Sequence, residues 1–130
     1  MVRILLLLAI LATTTAAPAA AVSKAKVPAA LRGNWGRTVT DADWQRVGKP
    51  GGNTGRFSMN IASSGDLVLA EALGTISTAP GYHRVSIGGI CTSGKGVYSW
   101  KVAGRKLTLT KVHDKCADAA APLMGVWTRY

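Results

Sequence analysis

The sequence predicts an all-β fold, a small antiparallel β-barrel of about eight strands with one disulfide. Short runs of β-branched and aromatic residues alternate with a period of two, which is what a half-buried strand requires. Turn residues separate these runs at close spacing, and no long helical pattern interrupts them. Cys91 and Cys116 are the only cysteines, and an even pair in an exported chain predicts one disulfide.

Residues 1–21 predict a secretory signal peptide. The apolar run over residues 4–12 is too short to span a bilayer as a helix. Small residues follow it, and the Ala19-x-Ala21 pair predicts cleavage between Ala19 and Val22. We therefore expect a secreted, extracellular protein that spans no membrane after cleavage.

The mature chain is expected to hold a flexible N-terminal lead over residues 22–30 and one barrel domain over residues 31–130. The first strand, over residues 31–39, contains Gly33 and Trp35. Further strands are expected over residues 57–61, 67–69, 73–78, 85–87, 97–102, 106–110 and 124–129.

The connections carry their own signals. Thr40 followed three residues later by Asp43 resembles a capping box and predicts one helical turn. Residues 48–55 form a glycine-rich segment that predicts a flexible loop, and the alanine-rich residues 118–122 predict another helical turn. No internal repeat is expected.

The formal net charge is +10, from 16 Lys and Arg against 6 Asp and Glu. Such a charge attracts anionic surfaces or polymers. The basic residues are scattered, however, with no block of like charge and no aromatic-interleaved basic motif. The pattern indicates a solvated basic surface or adhesion to an anionic polymer, and it predicts no specific nucleic-acid partner.

The two ends of the mature chain resemble the lipocalin-like pattern. Gly33-x-Trp35 matches its first motif, and Trp127-x-Arg129 resembles its last. The resemblance implies that Arg129 lies over the Trp35 indole near the closed end of the barrel, in a cation–π contact that joins first strand to last. These four residues are therefore the expected structural closure.

The last third of the chain is also similar to small secreted actinobacterial proteins described as lipocalin-like or calycin. The matching features are Tyr98-x-Trp100, Gly104, Leu107-Thr108-Leu109 and Asp114-x-Cys116. These relatives carry an Arg soon after the Cys, whereas Ala117 and Asp118 follow Cys116 here. The chain is also shorter than a typical lipocalin, which implies a small or filled cavity.

No catalytic centre can be assembled from the sequence. The stretch over residues 89–95 has phosphate-loop spacing, but Gly96 stands where a magnesium-binding Ser or Thr is needed. The acids lack an acid–base partner with an orienting group. An alternative zinc set is less favoured because its cysteines should oxidise outside the cell; it comprises His83, Cys91, His113 and Cys116. We therefore predict no enzyme, no cofactor and no metal.

The leading prediction is a non-enzymatic binding protein that takes a small apolar ligand in or at the mouth of the barrel. The aromatic and apolar candidates for this site are Phe57, Met59, Tyr98 and Trp100, although such a stripe is also typical of a simple core. A resemblance-based alternative is a secreted peptidase inhibitor whose residues 22–30 enter the peptidase cleft. A third is a basic surface protein that binds anionic cell-wall polymer.

Overall fold

The structure, a computed structural model, describes residues 27–130. The predicted signal peptide and residues 22–26 lie outside this described part. The described chain forms a closed barrel of eight antiparallel strands, so the predicted fold class is confirmed. Each strand pairs with the next along the chain, and the last strand returns to pair with the first. Closure removes every exposed sheet edge.

The elements follow in simple order. A 3-10 turn over Ala29–Leu31 precedes the first strand, and two short helices, α1 (Asp41–Arg46) and α2 (Ala117–Leu123), interrupt the sheet. The strands are β1 (Gly33–Val39), β2 (Gly55–Ile61), β3 (Asp66–Leu69), β4 (Ala72–Thr78), β5 (Arg84–Gly88), β6 (Gly96–Ala103), β7 (Lys106–His113) and β8 (Gly125–Arg129).

Because successive strands are antiparallel, their connections alternate between the two ends of the barrel. At one end, here called the mouth, lie α1 with the loop that follows it, the β3–β4 turn, the β5–β6 loop, and α2. At the other, here called the base, lie the 3-10 turn, the β2–β3, β4–β5 and β6–β7 turns, and the C-terminus.

The interior of the barrel is filled with side chains. Trp35, Trp127 and Tyr98 are its largest members, and each is fully buried. Apolar residues from the other five strands pack around them: Met59, Ile61, Leu67, Leu69, Ile76, Val85, Ile87, Leu107 and Leu109. In the described chain the barrel is therefore a packed core, as small barrels of this strand number commonly are.

Two connecting segments pack more closely than the sequence indicates. Val27 and Leu31 belong to the barrel core, so the described end of the predicted flexible lead is part of the domain. In the glycine-rich loop, Gly52 lies so close to the Trp44 indole that no Cβ would fit. The Trp44 Nε1–H also donates a 2.8 Å hydrogen bond to the Asn53 carbonyl.

The seam between β1 and β8 is built from a short motif that occurs twice. Leu31-x-Gly33-x-Trp35-x-Arg37 enters β1, and Leu123-x-Gly125-x-Trp127-x-Arg129 enters β8. The expectation of no internal repeat is therefore wrong at this short scale. The two copies run antiparallel and side by side, with Trp35 opposite Arg129 and Gly36 opposite Thr128.

The two copies make matching contacts. Each Trp donates its Nε1–H to the carbonyl of the motif's own Leu, at 2.9 Å for Trp35 and 3.0 Å for Trp127. Each Arg lies over the Trp of the other copy. The Arg129 guanidinium carbon is 4.1 Å from the Trp35 ring centroid, and that of Arg37 is 5.7 Å from Trp127. The seam is thus closed by two reciprocal cation–π contacts.

Each arginine also attaches a short helix to one end of the barrel. At the base, Arg129 donates to the carbonyls of Arg32 at 2.6 Å and Ala30 at 2.9 Å. At the mouth, Arg37 donates to the carbonyls of Ala121 and Pro122 at the end of α2. These bonds satisfy carbonyls that the ends of short helices leave unpaired.

Candidate functional site

The mouth of the barrel holds an open groove with a volume of about 520 Å³. It lies above the filled interior, between α1, the β3–β4 turn, the β5–β6 loop and α2. Its apolar walls come from Trp44, Phe57, Leu69, Ile90 and Pro122, with Ala70 and Ala72 beside them. Asn53, Glu71 and Asp118 contribute the polar part of its lining. This is the size and composition that small-molecule sites in proteins commonly have.

Three wall residues of the groove, Trp44, Phe57 and Ile90, are positioned by the fold itself. Trp44 is fixed by its hydrogen bond to Asn53 and by the packing of Gly52. Phe57 follows the inward parity of β2, two residues before the buried Met59. The Ile90 side chain packs against Gly74, where an added Cβ would lie 3.0 Å from the Ile90 Cγ1. The groove is therefore preformed, which lowers the entropic cost of binding.

The disulfide lies beside the groove. Cys91 in the β5–β6 loop bonds to Cys116 at the start of α2, with their Cα atoms 6.3 Å apart. The predicted disulfide is confirmed. The disulfide leaves neither cysteine as a thiolate for the alternative zinc set, and residues 27–130 contain no group of three or more His, Cys, Asp or Glu side chains placed to hold a metal ion. The bond ties together two connections that line the groove.

A buried ion pair between Arg37 of β1 and Asp43 of α1 lies beneath the mouth of the barrel. Asp43 of α1 accepts from Arg37 at 2.8 Å and from Arg46 at 2.5 Å. The Thr40 backbone N–H donates to the same carboxylate at 2.8 Å, which completes the predicted capping box. Burial acts to raise the pKa of Asp43, but the bonds from Thr40 and Arg37 and the charge of Arg37 outweigh it and lower that pKa. The charged carboxylate thereby links α1 to the barrel wall.

Tyr98 is buried near the same end, and its hydroxyl donates to a carboxylate oxygen of Asp114. The other oxygen of Asp114 accepts from the Cys116 backbone N–H at 2.9 Å. Burial first, and then the bond to Asp114 and its negative charge, raise the pKa of Tyr98 far above its ordinary value. Tyr98 is therefore a neutral structural donor that helps to position the disulfide.

The structure does not bring the four predicted ligand residues together. Phe57 lines the groove. Met59 and Tyr98 are fully buried in the packed interior. Trp100 lies at the base, where its ring stacks on His83 with centroids 4.2 Å apart. Of the four, Phe57 is the one placed to meet a ligand at the mouth.

Several groove residues were not found by reasoning from the sequence. Trp44 lies in the short helix α1, and Ile90 and Pro122 lie in connections without strand periodicity. Arg37 was not recognised as the second closing arginine. The repeat of Leu-x-Gly-x-Trp-x-Arg was the available signal, because Arg37 occupies in its copy the position that Arg129 occupies in the other.

No family model matches the chain, and comparison with curated proteins and with solved structures also finds no match. Within residues 27–130, no helix combines the length and the apolar character that crossing a membrane requires.

Proposed function

We propose that this chain is a secreted, non-enzymatic binding protein that holds a small apolar ligand at the mouth of its barrel. The observation that carries the proposal is the preformed apolar groove of about 520 Å³ above a filled interior. A ligand therefore sits in the mouth and not inside the barrel. Trp44, Phe57 and Ile90 are its expected apolar contacts, and Glu71 and Asp118 its polar neighbours.

As part of this proposal we place the chain with the lipocalin-like, or calycin, barrels of the small secreted actinobacterial type. The closed barrel of eight strands is compatible with that group. The Arg129 guanidinium over the Trp35 indole supports the same assignment, since the resemblance implies this contact. Export is part of the proposal too, and an intact mass of the extracellular form that begins between Ala20 and Val22 would support it.

The binding proposal is tested with N-phenyl-1-naphthylamine, a neutral apolar fluorophore, added to the folded protein. We expect its emission to rise and the emission of Trp44 to be quenched, because the probe would lie against that indole. Ile90→Asn should weaken binding at least about tenfold, since it places an amide in the apolar wall.

Leu73→Asn is the matched control. Leu73 is a large apolar residue on the outside of β4, 73% exposed and outside the groove, so its replacement should leave probe binding unchanged. Equal effects of the two substitutions, or no binding by the wild-type protein, would contradict the proposal.

The peptidase-inhibitor alternative depends on residues 22–30. Val27 is buried, and Arg32 donates two hydrogen bonds to its carbonyl, at 3.1 and 2.8 Å. A segment that enters a peptidase cleft would therefore have to come from the residues before Val27.

A further inference from the structure

The outer wall of the barrel is strongly biased in charge. Strands β1, β2, β5, β6, β7 and β8 contain no Asp or Glu, and they are contiguous around the closed barrel. Five exposed cations lie on these strands or at the β6–β7 turn: Arg56, Arg84, Lys101, Arg105 and Lys106. We call the outward face of these six strands the basic wall.

Within residues 27–130, the cations of the basic wall form no ion pair with an acidic side chain. The three ion pairs within residues 27–130 join Arg37, Arg46 and Lys49 to Asp43 and Asp118, all at the mouth. The wall's charge is therefore not neutralised by the protein, and it is available to an anionic partner.

Between the cations the wall carries hydroxyl and amide side chains. One row of paired residues crosses four neighbouring strands, from β7 through β8 and β1 to β2. Its members, in that order, are Lys106, Thr128, Gly36 and Ser58. Lys101 faces Thr108 in the next row. Further polar side chains point outward on the same wall, among them Asn34, Thr38, Asn60, Ser99 and Thr110. Hydroxyls and amides both donate and accept, as the hydroxyls of a sugar polymer do.

Exposed aromatic rings flank the basic wall at both sides. On the β5 side, Tyr82 stacks on His83 with centroids 3.9 Å apart, and Tyr82 itself is 85% exposed. The Arg84 side chain lies close to Gly81 beside this stack. On the β2 side, Tyr130, Arg56 and Ser58 line a depression of about 500 Å³. Each side thus has an arginine and an exposed aromatic residue in the same region of the surface.

We propose that the basic wall is a docking surface for an anionic polysaccharide. The cations would meet its carboxylates or phosphates, the hydroxyl and amide side chains its sugar hydroxyls, and the rings of Tyr82 and Tyr130 the faces of its sugar rings. Six strands at about 4.8 Å spacing span an arc of about 24 Å around the curved surface of the closed barrel, so the polymer must bend to follow the wall, which rotation about glycosidic linkages allows. A polysaccharide is favoured over nucleic acid because the two aromatic sites lie at opposite ends of the six-strand order and form no continuous stacking platform.

The test compares two double variants that remove the same charge from different faces. Lys101→Gln with Lys106→Gln changes the wall, and Lys95→Gln with Lys115→Gln changes exposed lysines in the β5–β6 loop and before α2, at the mouth. Binding of polygalacturonate is measured by calorimetry over a range of salt concentrations, with neutral dextran and poly-dT as competing probes. Thermal unfolding verifies that each variant is folded.

For the wall double variant we expect at least a tenfold loss of affinity. We also expect the slope of log K against log salt to become shallower by about 1.4, from about 0.7 for each lysine removed. The mouth double variant should lose less than about threefold. Tyr82→Ala and Tyr130→Ala should each weaken binding severalfold without changing the salt slope, because they remove no charge.

Three results would overturn the inference. The first is no binding of polygalacturonate by the wild-type protein at low salt. The second is an equal loss in both double variants, which would mean that net charge alone acts. The third is tighter binding of poly-dT than of polygalacturonate. Neither lysine pair lines the groove, so apolar-probe binding at the mouth is an independent measurement.

Discussion

At the scale of single residues, Arg129 performs several tasks at the base. Its guanidinium covers the Trp35 indole and donates to two carbonyls of the segment that precedes β1. A cation–π contact contributes about 0.5–2 kcal/mol, and the part-buried hydrogen bond to the Arg32 carbonyl contributes about 0.5–1.5 kcal/mol more. Its removal should therefore cost more than the loss of an ordinary surface charge.

We expect Arg129→Ala to lower the free energy of unfolding by about 1–4 kcal/mol. Arg129→Lys should also destabilise, because an ammonium lacks the planar fork that reaches both carbonyls. Arg56→Ala, which removes an exposed arginine, should cost much less. Denaturant unfolding of Arg129→Ala, Trp35→Leu and the double variant would measure the coupling. Strict additivity would mean that the two side chains do not interact in solution.

Asp43 makes the stability of the protein depend on pH. Its pKa is lowered in the folded state, so its contribution to stability is complete above the unfolded-state value of about 4 and is lost as pH falls through the folded-state value. We expect Asp43→Asn to lose about 3 kcal/mol at neutral pH, since it leaves Arg37 buried without its counter-ion. The variant should also lose less stability than the wild type between about pH 5 and pH 2.

Unfolding midpoints measured across this pH range check the assignment. Asp66→Asn is the control, because Asp66, the first residue of β3, is an exposed carboxylate with no ion pair in residues 27–130. A profile for Asp43→Asn that runs parallel to the wild-type profile would show that another carboxylate causes the acid sensitivity.

At the scale of elements, two glycines let the seam strands pass beneath the arginines. Gly33 has a φ of 122° and Gly125 a φ of 135°. A Cβ at either position would lie 2.7 Å from an arginine nitrogen of the opposite motif copy. Each glycine thus serves both the backbone conformation and the stack.

Gly55 provides a matched control for this double role. Its φ is 114°, close to that of Gly33, but nothing lies within 4 Å of an added Cβ. Gly55→Ala should cost about 1 kcal/mol for the strained backbone alone. Gly33→Ala should cost about 1–2 kcal/mol more, because it also displaces Arg129 from the Trp35 face. Equal costs in denaturant unfolding would contradict a role for Gly33 in the stack.

The disulfide connects the β5–β6 loop and α2, which are not paired with each other in the sheet. It links the β5–β6 loop to α2 across a sequence separation of 25. Replacing both cysteines by serine should lower the free energy of unfolding by about 3 kcal/mol, because the unfolded chain regains the freedom of that loop. Apolar-probe binding should weaken as well, since both connections line the groove. Unchanged unfolding in the presence and absence of reductant would contradict this expectation.

At the scale of the whole molecule, the barrel could be predicted because each strand carries local periodicity. The runs around Met59 and Leu107 alternate clearly between apolar and polar residues. The structure places strands at both, and each strand is two or three residues longer than predicted. The disulfide pairing could also be predicted from the sequence, since a bond between the only two cysteines has one possible connectivity.

The groove could not be predicted in the same way. Its walls come from connections, where Trp44, Ile90 and Pro122 follow no period and are brought together only when the barrel closes. Met59 and Tyr98 share the inward parity of Phe57, so alternation alone cannot distinguish a residue at the mouth from one deep inside. Depth along a barrel depends on strand stagger, which the period of two does not encode.

The seam has a consequence for how fast the protein unfolds. Arg129 and its acceptor Arg32 are 97 positions apart, whereas every other strand pair is joined by a local connection. Closing so long a loop is entropically costly, so the β1–β8 contacts should form after the rate-limiting step of folding. Substitutions in either motif copy would then raise the unfolding rate and leave the refolding rate nearly unchanged. Stopped-flow measurements on Arg129→Ala would show this as a shift of the unfolding limb alone. The paired arginines would then govern the lifetime of the closed barrel more than the speed of its assembly.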